Sequence, residues 1–263
     1  KHPNIKIESL SCNVTARLNV SKVIPGFRDS LDLSFKSLDQ IDFNNTDFIF
    51  SCLPHAELQS NFSKLPNNIK LIDLSADFRL KDSQDYNKWY GFTHNHPKKL
   101  NEFIYGLTEF NREKIKAAKY IANPGCYPTS ILMPLIPLLR NKIISGDNII
   151  IDSKSGYSGA GKSKKTENIF AEVNENIKSY GIGDHRHTAE INQELSNFSD
   201  DLVNVFFSAN LIPVNRGILS NIYINLDAYK QHEIYECLED TFAKEEFVTL
   251  LPINEVPSTR EVI

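Results

Sequence analysis

The residue whose sequence setting most favours covalent chemistry is Cys126, which lies between a predicted strand and a predicted helix. Gly125 permits an unusual backbone conformation beside the thiol, and Pro128 suits a first helical turn, where its missing N–H costs nothing. Free N–H groups and the positive end of a helix dipole stabilise a thiolate, so we expect a lowered pKa at Cys126 and a place to hold an oxyanion. A buried structural cysteine is the alternative, but the setting favours a nucleophile.

A histidine-containing segment, residues 185–190, could supply the proton chemistry. A histidine can act as general acid and base for a thiol. Glu190 lies three residues after His187, so on a helix the two share a face and the carboxylate could orient the imidazole. A metal site is disfavoured because no cysteine or third histidine lies nearby in the sequence. On these residues alone, a solvated helix start explains the pattern as well as a catalytic role does.

Two further loops carry groups that could bind ligands. In residues 155–161, three glycines follow a predicted strand, so backbone N–H groups could approach a ligand, although the spacing is that of neither a P-loop nor G-x-G-x-x-G. A flexible surface loop is the alternative. In residues 73–80, Arg79 could bind an anionic group through its bidentate guanidinium. An internal ion pair between Arg79 and Asp77 explains that segment equally well.

The apolar pattern indicates two kinds of architecture around these segments. Strands alternate with helices up to Cys126, which is typical of an α/β parallel sheet, whereas long β runs with few helices follow it, which indicates an antiparallel or mixed α+β sheet. Thr188 is the predicted N-cap of one helix. Strands are predicted at residues 5–10, 47–53, 70–74, 120–122, 148–151, 202–212, 217–226 and 247–251, and helices at 55–65, 129–139, 188–198 and 234–247.

Composition excludes several classes of protein. The chain has 263 residues, 41% of them hydrophobic and 24% charged, and a net charge of −4, which argues against general nucleic-acid binding. The longest uncharged stretch, residues 120–139, contains four prolines, so we expect no membrane span, and we expect no secretory signal. Four cysteines lie far apart, which predicts reduced thiols in a cytoplasmic compartment.

Seven segments, in chain order, resemble the N-acetyl-γ-glutamyl-phosphate reductases, which share a wider family with aspartate-semialdehyde dehydrogenase. They are residues 53–55, 72–80, 89–91, 105–109, 123–129, 158–161 and 185–191. The N-P-G-C-Y-P-T run around Cys126 is the most specific, and its occurrence together with H-R-H-T-x-E-I argues against coincidence. The resemblance implies a Rossmann-like dinucleotide-binding domain over residues 1–125, an α+β catalytic and dimerisation domain over 126–250, and a return towards the first domain over 251–263.

The resemblance also implies a reaction and its site. The reaction is the NADPH-dependent reduction of N-acetyl-γ-glutamyl phosphate to its semialdehyde through a cysteine thioester, with release of phosphate, in arginine biosynthesis. Cys126 is implied as the nucleophile and His185 as the acid and base, with no metal. Substrate contacts are implied for Arg79, Arg186, His187 and Glu190, and either arginine could meet the carboxylate or phosphate. NADP contacts are implied for Ser11, Ser51, Pro54, Ser158 and Gly159.

Two expectations concern the chain ends and assembly. By resemblance, Lys1 lies within the first helix of the dinucleotide-binding domain, so the glycine-rich phosphate loop would precede it and this chain should bind NADP weakly. The family's chain would also continue beyond Val262. The long apolar β runs need a cover on their second face, and the resemblance places subunit contacts there, which predicts a homodimer or homotetramer.

Other functions stay open. One is a related reductase of another acyl phosphate, such as aspartyl phosphate or a carrier-bound aminoadipyl derivative. Another is a cofactor-free cysteine hydrolase or acyltransferase, against which the strand–helix alternation before Cys126 argues. A non-enzymatic binding protein is disfavoured by the setting of Cys126.

Overall fold

The computed structural model of the protein describes residues 2–161, 170–226 and 230–262. In chain order its elements are β1 (Leu10–Ser11), α1 (Val20–Val23), β2 (Phe35–Lys36), β3 (Phe48–Ser51), α2 (Glu57–Asn61), β4 (Lys70–Asp73), α3 (Ser83–Tyr90), β5 (Phe103–Tyr105), α4 (Thr108–Ala117), β6 (Tyr120–Ala122), α5 (Cys126–Arg140), β7 (Ile150–Gly156), α6 (Phe170–Val173), β8 (Lys178–Tyr180), α7 (His187–Ser196), β9 (Phe206–Ile212), β10 (Ile218–Tyr223) and α8 (Gln231–Phe242).

The chain divides into two compact units. The first consists of Lys1–Ile49 and Ser63–Leu71, and the second of Phe50–Phe62 and Ile72–Ile263. In the first unit, β1 and β2 form a short parallel pair. Every candidate site residue except Ser11 belongs to the second unit.

One sheet, with strand order β3-β4-β6-β5, positions the loops around Cys126. Strands β5 and β6 are parallel. The Leu74 N–H donates to the Ser51 carbonyl at 2.9 Å, and the Asn123 N–H donates to the Asp73 carbonyl at 2.8 Å. The C-terminal ends of β3, β4 and β6 therefore lie side by side, and the polar loops that follow them gather at one edge of the sheet.

The other four-stranded sheet has the order β10-β7-β9-β8 and is mixed, as the sequence predicts. Strand β7 is parallel to β9 and antiparallel to β10, and β8 is antiparallel to β9. Helix α5 contacts α7, α8 and β10, and its apolar residues share one core with the inner face of this sheet. Among the fully buried members are Ile131, Leu132, Ile151, Ile191 and Leu195.

Helix α5 begins at Cys126, three residues before the predicted start of the helix. The Gly125 carbonyl accepts the N–H of Thr129 at 3.0 Å and its hydroxyl at 2.9 Å, which closes the first turn around the cysteine. Pro134 and Pro137 lie inside the helix, where each lacks the N–H that would bond to the preceding turn.

Two predicted strands are wrong. The strand expected over residues 5–10 is only β1, which starts at Leu10, and residues 247–251 form no strand. Phe247 is 89% exposed, so the apolar run that predicted the last strand has no partner to pack against. No helix in the described part of the chain is long and apolar enough to cross a membrane.

Candidate active site

Cys126 is the first residue of α5 and follows the end of β6 by three residues. Hydrogen bonding from the backbone N–H groups of Cys126 and Tyr127 favours the thiolate form of the side chain. The side chain is exposed at the surface of the described structure. These are the features expected of a nucleophile at a helix N-terminus, where backbone N–H groups can also hold a developing oxyanion.

The expected lowering of the thiol pKa is wrong for this state of the protein. Desolvation by the surrounding protein raises the pKa of Cys126 above its ordinary value and outweighs the two N–H groups and the Arg79 guanidinium, which act in the opposite direction. Although one side of the residue is open, the thiol rests against protein on the other. Cys126 is therefore a thiol at neutral pH until another group changes its surroundings.

A buried set of polar groups, which we call the anchor cluster, holds the turn before Cys126. It consists of Arg79, Tyr105, Glu190 and the Gly125 peptide. One Glu190 carboxylate oxygen accepts the Gly125 N–H at 2.8 Å and the Tyr105 hydroxyl at 2.7 Å, and the other accepts Arg79 Nη1 at 3.3 Å. The Glu190 side chain is completely buried. The carboxylate therefore fixes the Gly125 backbone and balances the buried arginine.

Arg79 is bonded to other internal acceptors as well. Its Nε donates to the Asn123 carbonyl at 2.7 Å and its Nη2 to the Leu74 carbonyl at 3.0 Å. The suggested ion pair with Asp77 is not formed. Asp77 instead accepts two backbone N–H groups at the start of α2. Arg79 thereby ties together the ends of β4 and β6, which carry the Cys126 turn.

Glu190 does not orient His187, and that prediction is wrong. No hydrogen bond joins the two in the described residues, and both Glu190 oxygens are occupied by the anchor cluster. Thr188 is not the N-cap of α7 either, because the helix starts at His187 after Arg186 and has no side-chain cap. The spacing correctly placed Glu190 on the buried face, but other elements supply its partners.

His185 is held in a definite tautomer. Its Nδ1 accepts the backbone N–H of His187 at 3.1 Å, so the neutral ring carries its proton on Nε2. The ring packs edge-on against Tyr127 and Phe207, with centroid distances of 5.5 and 5.2 Å. Burial, followed by the charge of Arg186, lowers the pKa of His185 to about 4. His185 is therefore a neutral ring at pH 7 and supplies no positive charge that would lower the pKa of the Cys126 thiol.

His187 lies directly against the turn that carries the cysteine. A Cβ atom built on Gly125 would lie 2.7 Å from His187 Nε2 and 3.0 Å from Arg79 Nη1, so glycine alone leaves room for both side chains. The Nδ1 atom of His187 is buried and has no hydrogen-bond partner in the described structure. The structure thus brings together at Gly125 the side chains of Arg79 and His187, which lie 108 residues apart along the chain.

A second set of polar groups, which we call the open donor group, consists of His55, Tyr90 and Arg186. His55 Nδ1 accepts the Ala76 N–H at 3.1 Å, which leaves Nε2–H as a donor, and its ring meets Tyr90 edge-on at 5.7 Å. Burial, with Arg186 and Arg79, lowers the pKa of His55 to about 4. Arg186 is exposed and forms no ion pair with any described residue. The Tyr90 hydroxyl is buried and has no partner there.

The expected NADP contacts are spread over both units. Ser51 ends β3 and is 5% exposed, and its hydroxyl has no hydrogen-bond partner among the described residues. Pro54 follows it and is exposed. Ser158 and Gly159 are exposed in a 3-10 turn after β7, and Ser11 is exposed in β1 of the first unit. The unpaired Ser51 hydroxyl at the strand end fits a ligand contact.

Sequence reasoning missed the roles of Tyr105, His55 and Tyr90. All three fall inside segments that carry the family resemblance, but nothing in their spacing predicted a partner or a function. Within the described ranges, no group of three or more His, Cys, Asp or Glu side chains is arranged to hold a metal ion.

Comparison with known proteins identifies both halves of the chain. The semialdehyde dehydrogenase NAD binding domain matches residues 1–118, and the semialdehyde dehydrogenase dimerisation domain matches residues 126–263. A probable chloroplastic N-acetyl-gamma-glutamyl-phosphate reductase of Oryza sativa subsp. japonica is 41% identical over all of this chain, which spans 63% of that protein. The N-acetyl-gamma-glutamyl-phosphate reductase of Vesicomyosocius okutanii is 41% identical over 99% of this chain and 76% of its own length.

The chain spans 65% of a second plant relative, from Arabidopsis thaliana, so it covers just under two thirds of both plant proteins. Among solved structures, aspartate semialdehyde dehydrogenase II from Vibrio cholerae matches with a TM-score of 0.64 at 15% identity, over 88% of this chain and 70% of that one. Aspartate semialdehyde dehydrogenase with NADP from Candida albicans matches with a TM-score of 0.61 at 14% identity, over 91% and 70%. At these identities the likeness shows the fold, an α/β fold with an additional α+β domain.

Proposed function

The chain belongs to the N-acetyl-gamma-glutamyl-phosphate reductases of the semialdehyde dehydrogenase family, and from that premise we propose that it reduces N-acetyl-γ-glutamyl phosphate to the semialdehyde with NADPH, in arginine biosynthesis. The observation that carries the proposal is the position of Cys126 as the first residue of α5, where the backbone N–H groups of Cys126 and Tyr127 favour the thiolate. That arrangement suits acyl transfer to sulfur, because the same N–H groups can hold the oxyanion.

The chemistry proceeds through a thioester on Cys126. A C–S bond forms at the acyl carbon, and the bond from that carbon to the phosphate oxygen breaks, so phosphate leaves with the electron pair. NADPH, when bound, supplies the hydride that reduces the thioester. The N–H groups of Cys126 and Tyr127 hold the oxyanion, which collapses, expels the thiolate and releases the aldehyde.

His185 is the proposed acid and base. Because its Nδ1 accepts a backbone N–H, it enters the reaction with its proton on Nε2 and acts first as a donor. The raised pKa means that the free protein holds a thiol at Cys126, so the S–H bond breaks as the C–S bond forms, and the departing phosphate takes up that proton. His187, which lies against Gly125, orients the substrate.

The two arginines have different proposed roles. Arg186 is exposed and has no described ion-pair partner, so it is the arginine that binds the substrate's carboxylate or phosphate. Arg79 and Glu190 are occupied by the anchor cluster, so they position the Cys126 turn instead of binding substrate directly. The proposal therefore assigns substrate binding to Arg186 and positioning to Arg79.

Cofactor, domains and assembly are part of the same proposal. NADP is held by Ser51, whose buried hydroxyl is unpaired, together with Pro54, Ser158, Gly159 and Ser11. The domains are 1–125 and 126–250, with 251–263 returning to the first. A homodimer or homotetramer agrees with the name of the dimerisation domain that matches residues 126–263. The compartment is a reducing one such as cytoplasm, and two plant relatives are named as chloroplastic.

The test is phosphate-dependent oxidation of N-acetylglutamate semialdehyde by the full-length protein, followed by NADPH absorbance. Turnover should require both phosphate and NADP⁺, and aspartate semialdehyde should be a poorer substrate. Cys126→Ser should abolish turnover and leave the melting temperature and NADP binding unchanged. Faster oxidation of aspartate semialdehyde would assign the protein to another acyl phosphate, and thioester hydrolysis without NADP⁺ would make it a hydrolase.

The two histidines provide a matched comparison in the same assay. His185→Asn should lower kcat by ~10²–10⁴-fold, the usual scale for a lost general acid or base. His187→Asn should lower kcat less and raise KM more, because His187 orients the substrate. A larger loss of kcat in His187→Asn than in His185→Asn would assign the acid and base role to His187 and the orienting role to His185.

A further inference from the structure

Helix α3 carries two tyrosines one helical turn apart, and their hydroxyls differ in one respect. The Tyr86 hydroxyl accepts the Leu80 N–H at 3.0 Å and donates to the Ala76 carbonyl at 3.1 Å. The Tyr90 hydroxyl is also buried but has no hydrogen-bond partner in the described structure. A buried hydroxyl without a partner is destabilising, so its presence requires an explanation.

The surroundings of Tyr90 point to an anion. Its ring meets His55 edge-on at 5.7 Å, and His55 presents Nε2–H as a donor because Nδ1 already accepts a backbone N–H. The charge of Arg186 acts on the ionisation of both Tyr90 and His55, and Arg186 forms no ion pair with a described residue. It precedes His187, whose ring lies against Gly125. Tyr90 and His55 are therefore donors in ring contact with each other, Arg186 is a third, and none of the three has an acceptor among the described residues.

The position of Tyr90 is fixed by the backbone as well. Tyr90 is the last residue of α3, and Gly91 follows with φ +73°, a left-handed conformation that ends the helix. Tyr86, one turn earlier, is completely buried and tied to the loop after β4. The backbone that carries Tyr90 is thus fixed by the end of α3 and by the packing of Tyr86, which fixes the place of the Tyr90 side chain in the fold.

We propose that the Tyr90 hydroxyl, together with His55 and Arg186, binds an anionic oxygen of the substrate. The inference rests on the proposed function and names the recognition residues of that same site. The anion is the phosphoryl group or the carboxylate of the N-acetylglutamyl substrate, since both offer oxygen acceptors to the same donors.

The test compares Tyr90→Phe with Tyr86→Phe, because the two variants remove the same atom from neighbouring turns of one helix. In the full-length protein, Tyr90→Phe should keep or slightly raise the melting temperature and raise one KM at least about tenfold. Tyr86→Phe should lower the melting temperature and leave both KM values unchanged. A raised KM for phosphate identifies the phosphoryl group, and a raised KM for the semialdehyde identifies the carboxylate.

Binding without turnover separates this inference from the proposed function. Calorimetric titration with inorganic phosphate and with N-acetylglutamate should show at least about tenfold weaker binding of one of them to Tyr90→Phe than to wild type. Wild type could bind the anion, and Tyr90→Phe could fail to bind it, while wild type shows no turnover. In that case the recognition site stands and the proposed function fails. Unchanged binding and KM values in Tyr90→Phe, or no binding of either anion by wild type, would overturn the inference.

Discussion

The anchor cluster and the open donor group each contain one arginine and one tyrosine, but they use these residues differently. Arg79 and Tyr105 donate to Glu190, and Arg79 bonds two carbonyls as well. Arg186 and Tyr90 have no ion-pair or hydrogen-bond partner in the described structure. Polar groups with complete bonding hold the geometry of the Cys126 turn, whereas we have proposed that those without it bind a ligand. Residue type alone does not distinguish positioning from recognition.

The contrast between the two sets of residues is tested most strongly by removing a charge from the anchor cluster. Glu190→Gln leaves Arg79 buried without its charge partner, and breaking a buried pair in this way costs about 3–5 kcal/mol. The free energy of unfolding in urea should fall by that amount, and kcat should fall with it because the single amide oxygen of glutamine cannot accept from both the Gly125 turn and Arg79. Glu190→Gln with wild-type stability would show that the cluster does not hold the turn.

Glu194→Gln is the matched control on the same helix, one turn later. Glu194 is 5% exposed and accepts from the Gln193 side chain, but it forms no ion pair with a described residue. Its replacement should cost less than about 1 kcal/mol at pH 7, because a neutral amide resembles the protonated acid. Equal losses in the two variants would mean that burial, and not pairing with Arg79, sets the cost.

A smaller effect is expected from crowding the point where Arg79 meets His187. Gly125→Ala places a methyl group 2.7 Å from His187 Nε2 and should destabilise the protein by about 1–3 kcal/mol, with a lower kcat. Gly26→Ala is the control, since a Cβ atom at Gly26 meets nothing within 4 Å. Differential scanning calorimetry and kcat measurements compare the two. A neutral Gly125→Ala would show that both side chains move aside at no cost.

The smallest expected effect is a pH dependence. Burial raises the pKa of Glu194 to about 7 from its ordinary 4.5, so the folded protein binds this proton more tightly than the unfolded chain. The stabilisation is complete below pH 4.5 and is lost as the pH rises through 7. Between pH 5 and pH 8, wild type should therefore lose about 1 kcal/mol or more relative to Glu194→Gln in urea unfolding. A parallel pH dependence in both proteins would contradict the raised pKa.

Much of the fold was predictable because it depends on local patterns. The apolar runs at 47–53, 70–74 and 120–122 each contain an observed strand, and the long β runs after Cys126 form the mixed sheet. The strand predicted at 247–251 failed because an apolar run specifies no partner strand. Sequence periodicity reports what a segment can bury, not what it will be buried against.

The candidate site, like the fold, was predictable only where local sequence decides it. The sequence paired Cys126 with His185 as nucleophile and acid–base, and in the structure it is His187 whose ring lies against Gly125, the residue before Cys126. The predicted lowering of the pKa at Cys126 was wrong because burial is set by the tertiary structure. The partner of Glu190 was wrong because Arg79 lies 111 residues away along the chain, beyond the reach of any spacing rule.

The central claim is that the Cys126 sulfur carries the acyl group, and a covalent adduct tests it most directly. The full-length protein is mixed with N-acetylglutamate semialdehyde and NADP⁺ without phosphate, quenched in acid and digested for mass spectrometry. We predict a stoichiometric burst of NADPH and an N-acetylglutamyl group on the peptide that contains Cys126, and neither in Cys126→Ser. An unmodified Cys126 peptide in a protein that turns over with phosphate, or an acyl group on Cys52 instead, would contradict the account.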